Sequence, residues 1–270
     1  RRMHRAMENL AEIRTESFFS LLAGQKSAAR DEYPILVYNP HPYDIEYAII
    51  VELQSAEPNF NKGTSLVPEL YDEKGLSVPL QVEKEASNIR NDHRKRLVFN
   101  TELKAGVMNR FSCYLKEELK KDIVPEPFSG KFDFENSTCS FSIDPGTGLI
   151  SKYAVEGIPY LLPEAGQLLV INDDADPWGM RVNSFRDICG KFELMNSAEC
   201  ASFSAIEGAS LEPIRIIEHG DVRTVVEALF KFNESRAFVR YAFPGRGNEI
   251  GIDILVYWFE KDKMLKWALP

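Results

Sequence analysis

The residues best suited to chemistry lie in one short stretch, Asp173 to Met180, which reads D-D-A-D-P-W-G-M. Its proline and glycine favour a loop, because proline restricts the backbone and glycine permits a sharp turn. Carboxylates accept hydrogen bonds from paired hydroxyl groups, and an indole offers a flat apolar face to a ring. Asp174, Asp176 and Trp178 therefore suit a polyhydroxylated ligand, and we predict that they lie nearest to a substrate.

Two structural alternatives remain open for this stretch. In the first, it is a solvated turn in which the aspartates cap backbone amides and the tryptophan fills a core. In the second, Arg181 and Arg186 pair with the aspartates and leave them structural. Either alternative removes the loop from any ligand site.

The sequence lacks the patterns of common catalytic and metal centres. It contains no His-x-x-x-His, no Cys-x-x-Cys, no Gly-rich phosphate loop and no Gly-x-Ser-x-Gly, and the spacing of a calcium loop is missing. A retaining glycosidase needs two carboxylates about 5 Å apart across the scissile bond, whereas Asp174 and Asp176 are neighbours on one loop. We therefore predict no metal in this chain, with these two aspartates at best lining the mouth of a site.

The composition limits the class of protein and its partners. The chain has 270 residues, of which 44% are hydrophobic and 27% charged, as in soluble globular proteins of one or two domains. A net charge of −9 argues against nucleic acid and anionic membrane as partners, and no apolar run reaches the length of a membrane span. The four cysteines have no close pairing and indicate buried thiols in a reducing compartment, which predicts a cytoplasmic location.

The first half of the chain predicts one helix followed by short strands. Apolar residues recur at helical spacing from Arg1 to Ala23, and we interpret this segment as the last helix of a bundle that lies upstream. Ile45 to Leu53 alternates as a half-buried strand does, and further short strands follow, separated by glycine-containing loops. The charged and proline-rich segment Lys116 to Pro127 predicts a domain boundary.

From Phe128 onward the predicted strands are longer. Asp144 to Gly148, D-P-G-T-G, predicts a hairpin, and Ala198 to Glu207 and Glu249 to Phe259 are among the predicted strands. We predict a large antiparallel sandwich whose sheets extend beyond Pro270. The expected fold class is mainly β: residues 1–29 form the last bundle helix and a linker, 30–125 a small immunoglobulin-like β-sandwich, and 126–270 the first part of a large β-supersandwich of the galactose-mutarotase-like type.

Four segments together resemble the C-terminal half of the family 38 glycoside hydrolases, the α-mannosidases and their bacterial relatives. They are I-L-V-Y-N-P at Ile35 to Pro40, F-S-I-D-P-G-T-G-L-I at Phe141 to Ile150, the Asp173 to Met180 stretch, and V-Y-W-F-E-K-D-K-M-L-K at Val256 to Lys266. His41 and Phe259 depart from the family's usual residues. The four segments occur in the family's order, behind a helix, and the likeness covers nearly the whole chain.

The resemblance implies an upstream α/β catalytic domain that carries zinc, an aspartate nucleophile and an acid/base aspartate. None of those positions falls within this chain, so we expect a non-catalytic, inactive fragment of a parent that hydrolyses α-mannosidic bonds with retention. The expected partners are the chain's own upstream catalytic domain and an α-mannoside, and homo-oligomerisation is left open. The alternatives are a stand-alone carbohydrate-binding or adhesion β-sandwich module, and a sugar mutarotase that uses His219 with a carboxylate.

Overall fold

A computed structural model describes residues 2–85, 92–120, 131–175, 184–206 and 208–270. The chain divides into two compact units, Arg1–Lys121 (unit 1) and Asp122–Pro270 (unit 2). Both consist mainly of antiparallel strands, and a helix stands at the N-terminus. The prediction of a mainly β chain with an N-terminal helix is therefore confirmed.

Unit 1 begins with the predicted helix and continues with six strands in its described part. The elements are α1 (Arg2–Leu22), β1 (Glu32–Tyr38), β2 (Ile45–Gln54), β3 (Thr64–Tyr71), β4 (Gln81–Glu83), β5 (Arg94–Leu103) and β6 (Met108–Leu119). No residue of α1 is buried, so its apolar stripe, including Met7 and Leu10, faces solvent. Its membership of a bundle stays a prediction.

Two three-stranded sheets of unit 1, β1–β6–β3 and β2–β5–β4, enclose one apolar core. Leu97 and Phe99 on β5 point into it and are completely buried, as is Cys113 on β6. The alternation of β2 places Ile49 and Leu53 in the same core. The period of two in the sequence of β2 therefore predicted this strand correctly, whereas Leu97, Val98 and Phe99 on β5 are buried in succession.

A charged cluster fixes the segment that links α1 to this sandwich. The Glu32 carboxylate accepts hydrogen bonds from the Ala29 amide at 2.6 Å, from Ser112 Oγ at 2.8 Å and from Arg110 Nη2 at 2.7 Å. These three donors, the Ala29 amide first, outweigh the effect of burial and lower the pKa of Glu32 to about 2. Arg110 also donates to the Lys26 carbonyl at 2.8 Å, so the linker is held at two points.

Unit 2 is built from twelve strands and a short helix in its described part. The elements are β7 (Asp133–Glu135), β8 (Cys139–Ile143), β9 (Ile150–Val155), β10 (Ile158–Pro159), β11 (Gln167–Asn172), β12 (Ile188–Lys191), β13 (Glu193–Leu194), α2 (Ser197–Phe203), β14 (Ile214–Glu218), β15 (Arg223–Phe232), β16 (Ser235–Pro244), β17 (Gly251–Tyr257) and β18 (Lys263–Ala268). They form the sheets β10–β9–β8–β7, β12–β11–β18 and β13–β15–β16–β17, with β14 beside β15.

The sheet β13–β15–β16–β17, together with β14, is called the long sheet. The main core of unit 2 lies between the long sheet and the other two sheets. Phe141, Val170 and Val239 each come from a different sheet and meet in this core. Tyr241 is completely buried there, and its hydroxyl donates to the Gly148 carbonyl at 3.2 Å. The predicted hairpin is confirmed, because β8 and β9 pair antiparallel around residues 144–149.

One predicted strand, Ala198 to Glu207, is wrong. Its first part belongs to α2, which begins after Asn196. The Asn196 side chain accepts from the amides of Ala198 and Glu199, and the Glu199 carboxylate accepts from the Asn196 amide in return. This reciprocal capping box satisfies amides that a helix start leaves unpaired, and it outweighs an apparent alternation of apolar residues.

We predict that Gly148→Ala destabilises unit 2 far more than Gly157→Ala. Both glycines have positive φ, 72° and 80°, but a Cβ at Gly148 would lie 2.8 Å from Leu194 Cδ1 and 2.9 Å from Phe230 Cζ, whereas a Cβ at Gly157 meets no atom within 4 Å. We expect a loss of about 1 kcal/mol for Gly157→Ala and about 2–4 kcal/mol for Gly148→Ala. All three tryptophans lie in unit 2, so tryptophan fluorescence during urea unfolding measures the difference, and equal losses would contradict the packing of this hairpin.

A second prediction concerns the pH dependence of unit 1. Because the folded pKa of Glu32 lies below its ordinary value, this carboxylate contributes stability that is complete above about pH 4.5 and is lost as the pH falls towards 2. Glu32→Gln removes that dependence and costs about 1–3 kcal/mol at pH 7, the usual contribution of hydrogen bonds to a charged group. Hydrogen exchange of β1 and β6 peptides at pH 7 and pH 3 measures both effects, and Glu57→Gln serves as the exposed control.

Candidate polar end of unit 2

Three connections of unit 2 meet at one end of its sheets. Residue 172 at the end of β11 pairs with residue 263 at the start of β18, and residue 236 at the start of β16 pairs with residue 257 at the end of β17. The β11–β12 loop, the β15–β16 turn and the β17–β18 turn must therefore lie side by side. We call the described residues 172–175, 184–187, 233–235 and 259–262 the polar end.

Hydrogen bonds close the β11–β12 loop at its base. The Asn172 amide donates to the Asp187 carbonyl at 2.8 Å, and Asn172 Nδ2 donates to the Asp187 carboxylate at 2.7 Å. The Asp173 amide donates to the Asp262 carbonyl at 3.0 Å, which joins this loop to the β17–β18 turn. Lys266 Nζ donates to the carbonyl of Phe185, whose φ of 44° is unusual for a bulky residue.

The structure describes only part of the predicted substrate site. Asp174 lies at the polar end, half-buried, and its amide donates to the Asp173 carboxylate at 2.7 Å. Asp176, Trp178 and Arg181 lie outside the described residues, and Arg186 is exposed. The contact of Asp174, Asp176 and Trp178 with a substrate stays a prediction.

A second group of residues at the polar end was missed by the sequence reasoning. Ser235 is completely buried, and its hydroxyl donates to Glu260 Oε1 at 2.9 Å and accepts from the Phe259 amide at 2.9 Å. Asn233 Nδ2 donates to the other oxygen of Glu260 at 3.1 Å. The backbone of Phe259 is thus fixed while 71% of the residue is exposed. The signal available in the sequence was a small polar residue at an inward strand position, where an unpaired hydroxyl would be costly.

These residues can bind a hydroxylated ligand but lack the arrangement for hydrolysis. Aspartate and glutamate carboxylates accept hydrogen bonds from hydroxyl groups, and the exposed ring of Phe259 offers an apolar face. Among the residues that the structure describes, no three His, Cys, Asp or Glu side chains are grouped to hold a metal ion. The polar end therefore does not fit the zinc that the resemblance implies, which that resemblance places in an upstream domain.

The histidine considered for mutarotase chemistry lies elsewhere. His219 follows β14 and precedes β15, and its Nδ1 is 2.9 Å from Thr224 Oγ1. The polar end begins after the last residue of β15, so the length of this ten-residue strand, about 30 Å, separates them. His219 does not face the carboxylates of the polar end.

Comparison with known proteins identifies a likeness in fold. No family model and no curated protein sequence matches this chain. A crystal structure of a protein in glycosyl hydrolase family 38 from Enterococcus faecalis matches 88% of the chain with a TM-score of 0.52 and 13% sequence identity. This chain has the fold of part of that protein. A crystal structure of an alpha-mannosidase from Enterococcus faecalis V583 gives a TM-score of 0.47 and 12% identity over 88% of the chain. The chain spans about a third of those two proteins, 32% and 31% of their lengths.

We predict that Asn172→Ala opens the base of the β11–β12 loop without unfolding unit 2. The variant removes the bond from Nδ2 to Asp187 at an exposed position, so the global free energy of unfolding falls by about 1 kcal/mol or less. Amide exchange at residues 173–175 and 184–187 accelerates at least severalfold, because these residues lie in the low-stability class of loops that open locally. Lys191→Ala, an exposed change on β12, is the control. Unchanged exchange in Asn172→Ala would show that the side-chain bond does not hold the loop.

Proposed function

We propose that this chain is the C-terminal, non-catalytic β-domain portion of an α-mannosidase-like glycoside hydrolase. The observation that carries the proposal is the likeness in fold to part of a family 38 protein across 88% of the chain. The four resembling segments support it, because they occur in the same order along the sequence. The longer parent would hydrolyse α-mannosidic bonds with retention, using a zinc ion and two aspartates that lie in its upstream catalytic domain.

Three of the four segments lie beside β11 or at one of its ends in unit 2. The D-P-G-T-G hairpin segment ends at Ile150, which forms an isolated bridge with Ala165 just before β11. The Asp173 to Met180 stretch, which we call the acidic stretch, follows β11 directly in sequence. The Val256–Lys266 segment supplies most of β18, the partner of β11. Segments that are remote in sequence are thus brought together around one strand.

The first segment has a structural role in unit 1. Asn39 is completely buried at the end of β1, and its Nδ2 donates to the carbonyls of Tyr43 and Leu103. Its Oδ1 accepts from the His41 amide, so the side chain closes the N-P-H-P turn. This segment accordingly supports the likeness in fold and says nothing of catalysis.

In the proposal, the polar end helps to close a sugar site that the parent's catalytic domain builds. Asp174, Asp176 and Trp178 would be the substrate-proximal residues, with hydroxyl groups of the sugar bound to the carboxylates and a face of its ring stacked on the indole.

The proposal also includes a cytoplasmic location for the parent. Among the described residues, no helix is both long enough and apolar enough to span a membrane.

The proposal predicts that this chain alone does not release an aryl α-mannoside, with or without zinc, because the proposal assigns the nucleophile and the metal site to the upstream catalytic domain. The longer parent, expressed with its upstream residues, shows zinc-dependent activity. In that parent, Asp174→Asn and Asp176→Ala each lower kcat/KM about tenfold or more, as expected when a charged hydrogen bond to substrate is lost. Asp221→Asn, an exposed change at the opposite end of β15, leaves kcat/KM unchanged.

Two results would count against it. Zinc-dependent hydrolysis by the chain alone contradicts the claim that it is non-catalytic. If the parent folds and keeps its full kcat/KM with Asp174→Asn and with Asp176→Ala, the acidic stretch has a structural role only. The hydrolase assignment is tested separately, by the activity of the unaltered parent.

A further inference from the structure

An exposed apolar row runs along the outer face of β17 to the polar end. Leu255 and Tyr257 alternate with the core-facing residues of β17, and Phe259 follows two residues after the strand ends; the exposed fractions of the three are 46%, 45% and 71%. The outer face of a half-buried antiparallel strand normally carries polar residues. An exposed row of large apolar side chains is typical of a binding surface. We call these three residues the β17 row.

Neighbouring residues hold the ring of Tyr257 and the backbone of Phe259 in place. The Phe203 ring of α2 meets the Tyr257 ring edge to face, with centroids 5.7 Å apart and planes at 74°. The α2 helix is itself packed on the sheet through Cys200 and Leu229, so this contact is anchored. Phe259 is fixed through its amide by the buried hydroxyl of Ser235. Rings that are already ordered lose little conformational entropy when a ligand stacks on them.

Charged groups that donate and accept hydrogen bonds lie beside the row. Arg236 is opposite Tyr257 in the strand register, and Asp253 continues the row on β17 and is opposite Arg240. The Arg240 guanidinium lies 4.9 Å from the centre of the Phe238 ring and donates through Nε to the Glu227 carboxylate. Rings flanked by guanidinium and carboxylate groups match a pyranose, which has an apolar face and a rim of hydroxyl groups.

The geometry points to the β17 row as a binding surface for a neutral oligosaccharide, with pyranose rings stacked on Tyr257 and Phe259. From Phe259 to Asp253 the strand extends about 20 Å, which accommodates several sugar rings. Because Phe259 belongs to the polar end, a chain on this row leads directly to the acidic stretch. The identity of the sugar, α-linked mannose, rests on the proposed function, and the parent's substrate is then an oligosaccharide rather than a simple glycoside.

The test titrates the intact chain with α-linked mannotriose and with methyl α-mannoside, followed by calorimetry and by amide chemical shifts. We expect saturable binding of the trisaccharide near a millimolar Kd and at least tenfold weaker binding of the monosaccharide, because only the longer ligand covers two rings. Tyr257→Ala and Phe259→Ala each weaken trisaccharide binding about tenfold. Tyr257→Phe keeps most of it, because the ring stays.

The matched control is Phe60→Ala, which removes an exposed ring in unit 1, 86% exposed, and leaves trisaccharide binding unchanged. Tryptophan fluorescence reports whether each variant is folded. If Tyr257→Ala unfolds, Phe259→Ala still decides the test, because Phe259 is more exposed than Tyr257. Saturable binding that survives both ring variants overturns the inference, as does the absence of saturable trisaccharide binding.

Two further outcomes are distinguishable. Among the described residues β17 pairs only with β16, so its outer edge offers free backbone groups to another strand. A concentration-dependent dimer that Tyr257→Ala dissociates, without sugar binding, would assign the row to a second copy of this chain and overturn the inference. Loss of aryl mannosidase activity in the parent bears on the proposed function alone, because trisaccharide binding is measured on this chain.

Discussion

The pairing of β11 with β18 is the interaction on which the polar end depends. Six residue pairs in register, from Gln167 with Ala268 to Asn172 with Lys263, join two segments that lie about a hundred residues apart in sequence. Leu168 and Val170 fix this register, since a shift by one residue would expose both to water. The register then sets which backbone groups meet beyond the strands, and the bond between Asp173 and Asp262 follows from it.

A buried charge fixes the register of the long sheet in the same way. Glu227 on β15 is 7% exposed, and its two oxygens accept from Arg215 Nη2 on β14 at 2.6 Å and from Arg240 Nε on β16 at 2.9 Å. Removal of one partner of a buried ion pair costs about 3–5 kcal/mol, whereas the intact pair adds little net stability. The cluster therefore specifies how β14, β15 and β16 align more than it stabilises them.

Local patterns in the sequence predicted much of this fold, and long-range pairing could not be predicted from them. The alternation of β2 and β17 and the D-P-G-T-G hairpin follow from residues close together in the chain. The helix α2 was mistaken for a strand although Asn196 and Glu199 form a capping-box signal, because the apolar residues that follow fit either period. The contact between the acidic stretch and the β17–β18 turn depends on the β11–β18 pairing, and nothing in either segment alone specifies its partner.

The same limit of local patterns explains why the sequence did not indicate Phe259, while the contact of Trp178 with a substrate stays a prediction. Trp178 was chosen because it stands beside aspartates in the sequence, whereas Phe259 reaches the polar end through a turn between two sheets and is held there by Ser235, twenty-four residues away. Hydrolysis needs opposed carboxylates and a proton donor, which neighbours on one loop do not provide. An exposed ring beside carboxylates needs only a ligand with an apolar face and hydroxyl groups. The described residues of the polar end are therefore suited to contact a hydroxylated ligand and lack the arrangement that hydrolysis needs.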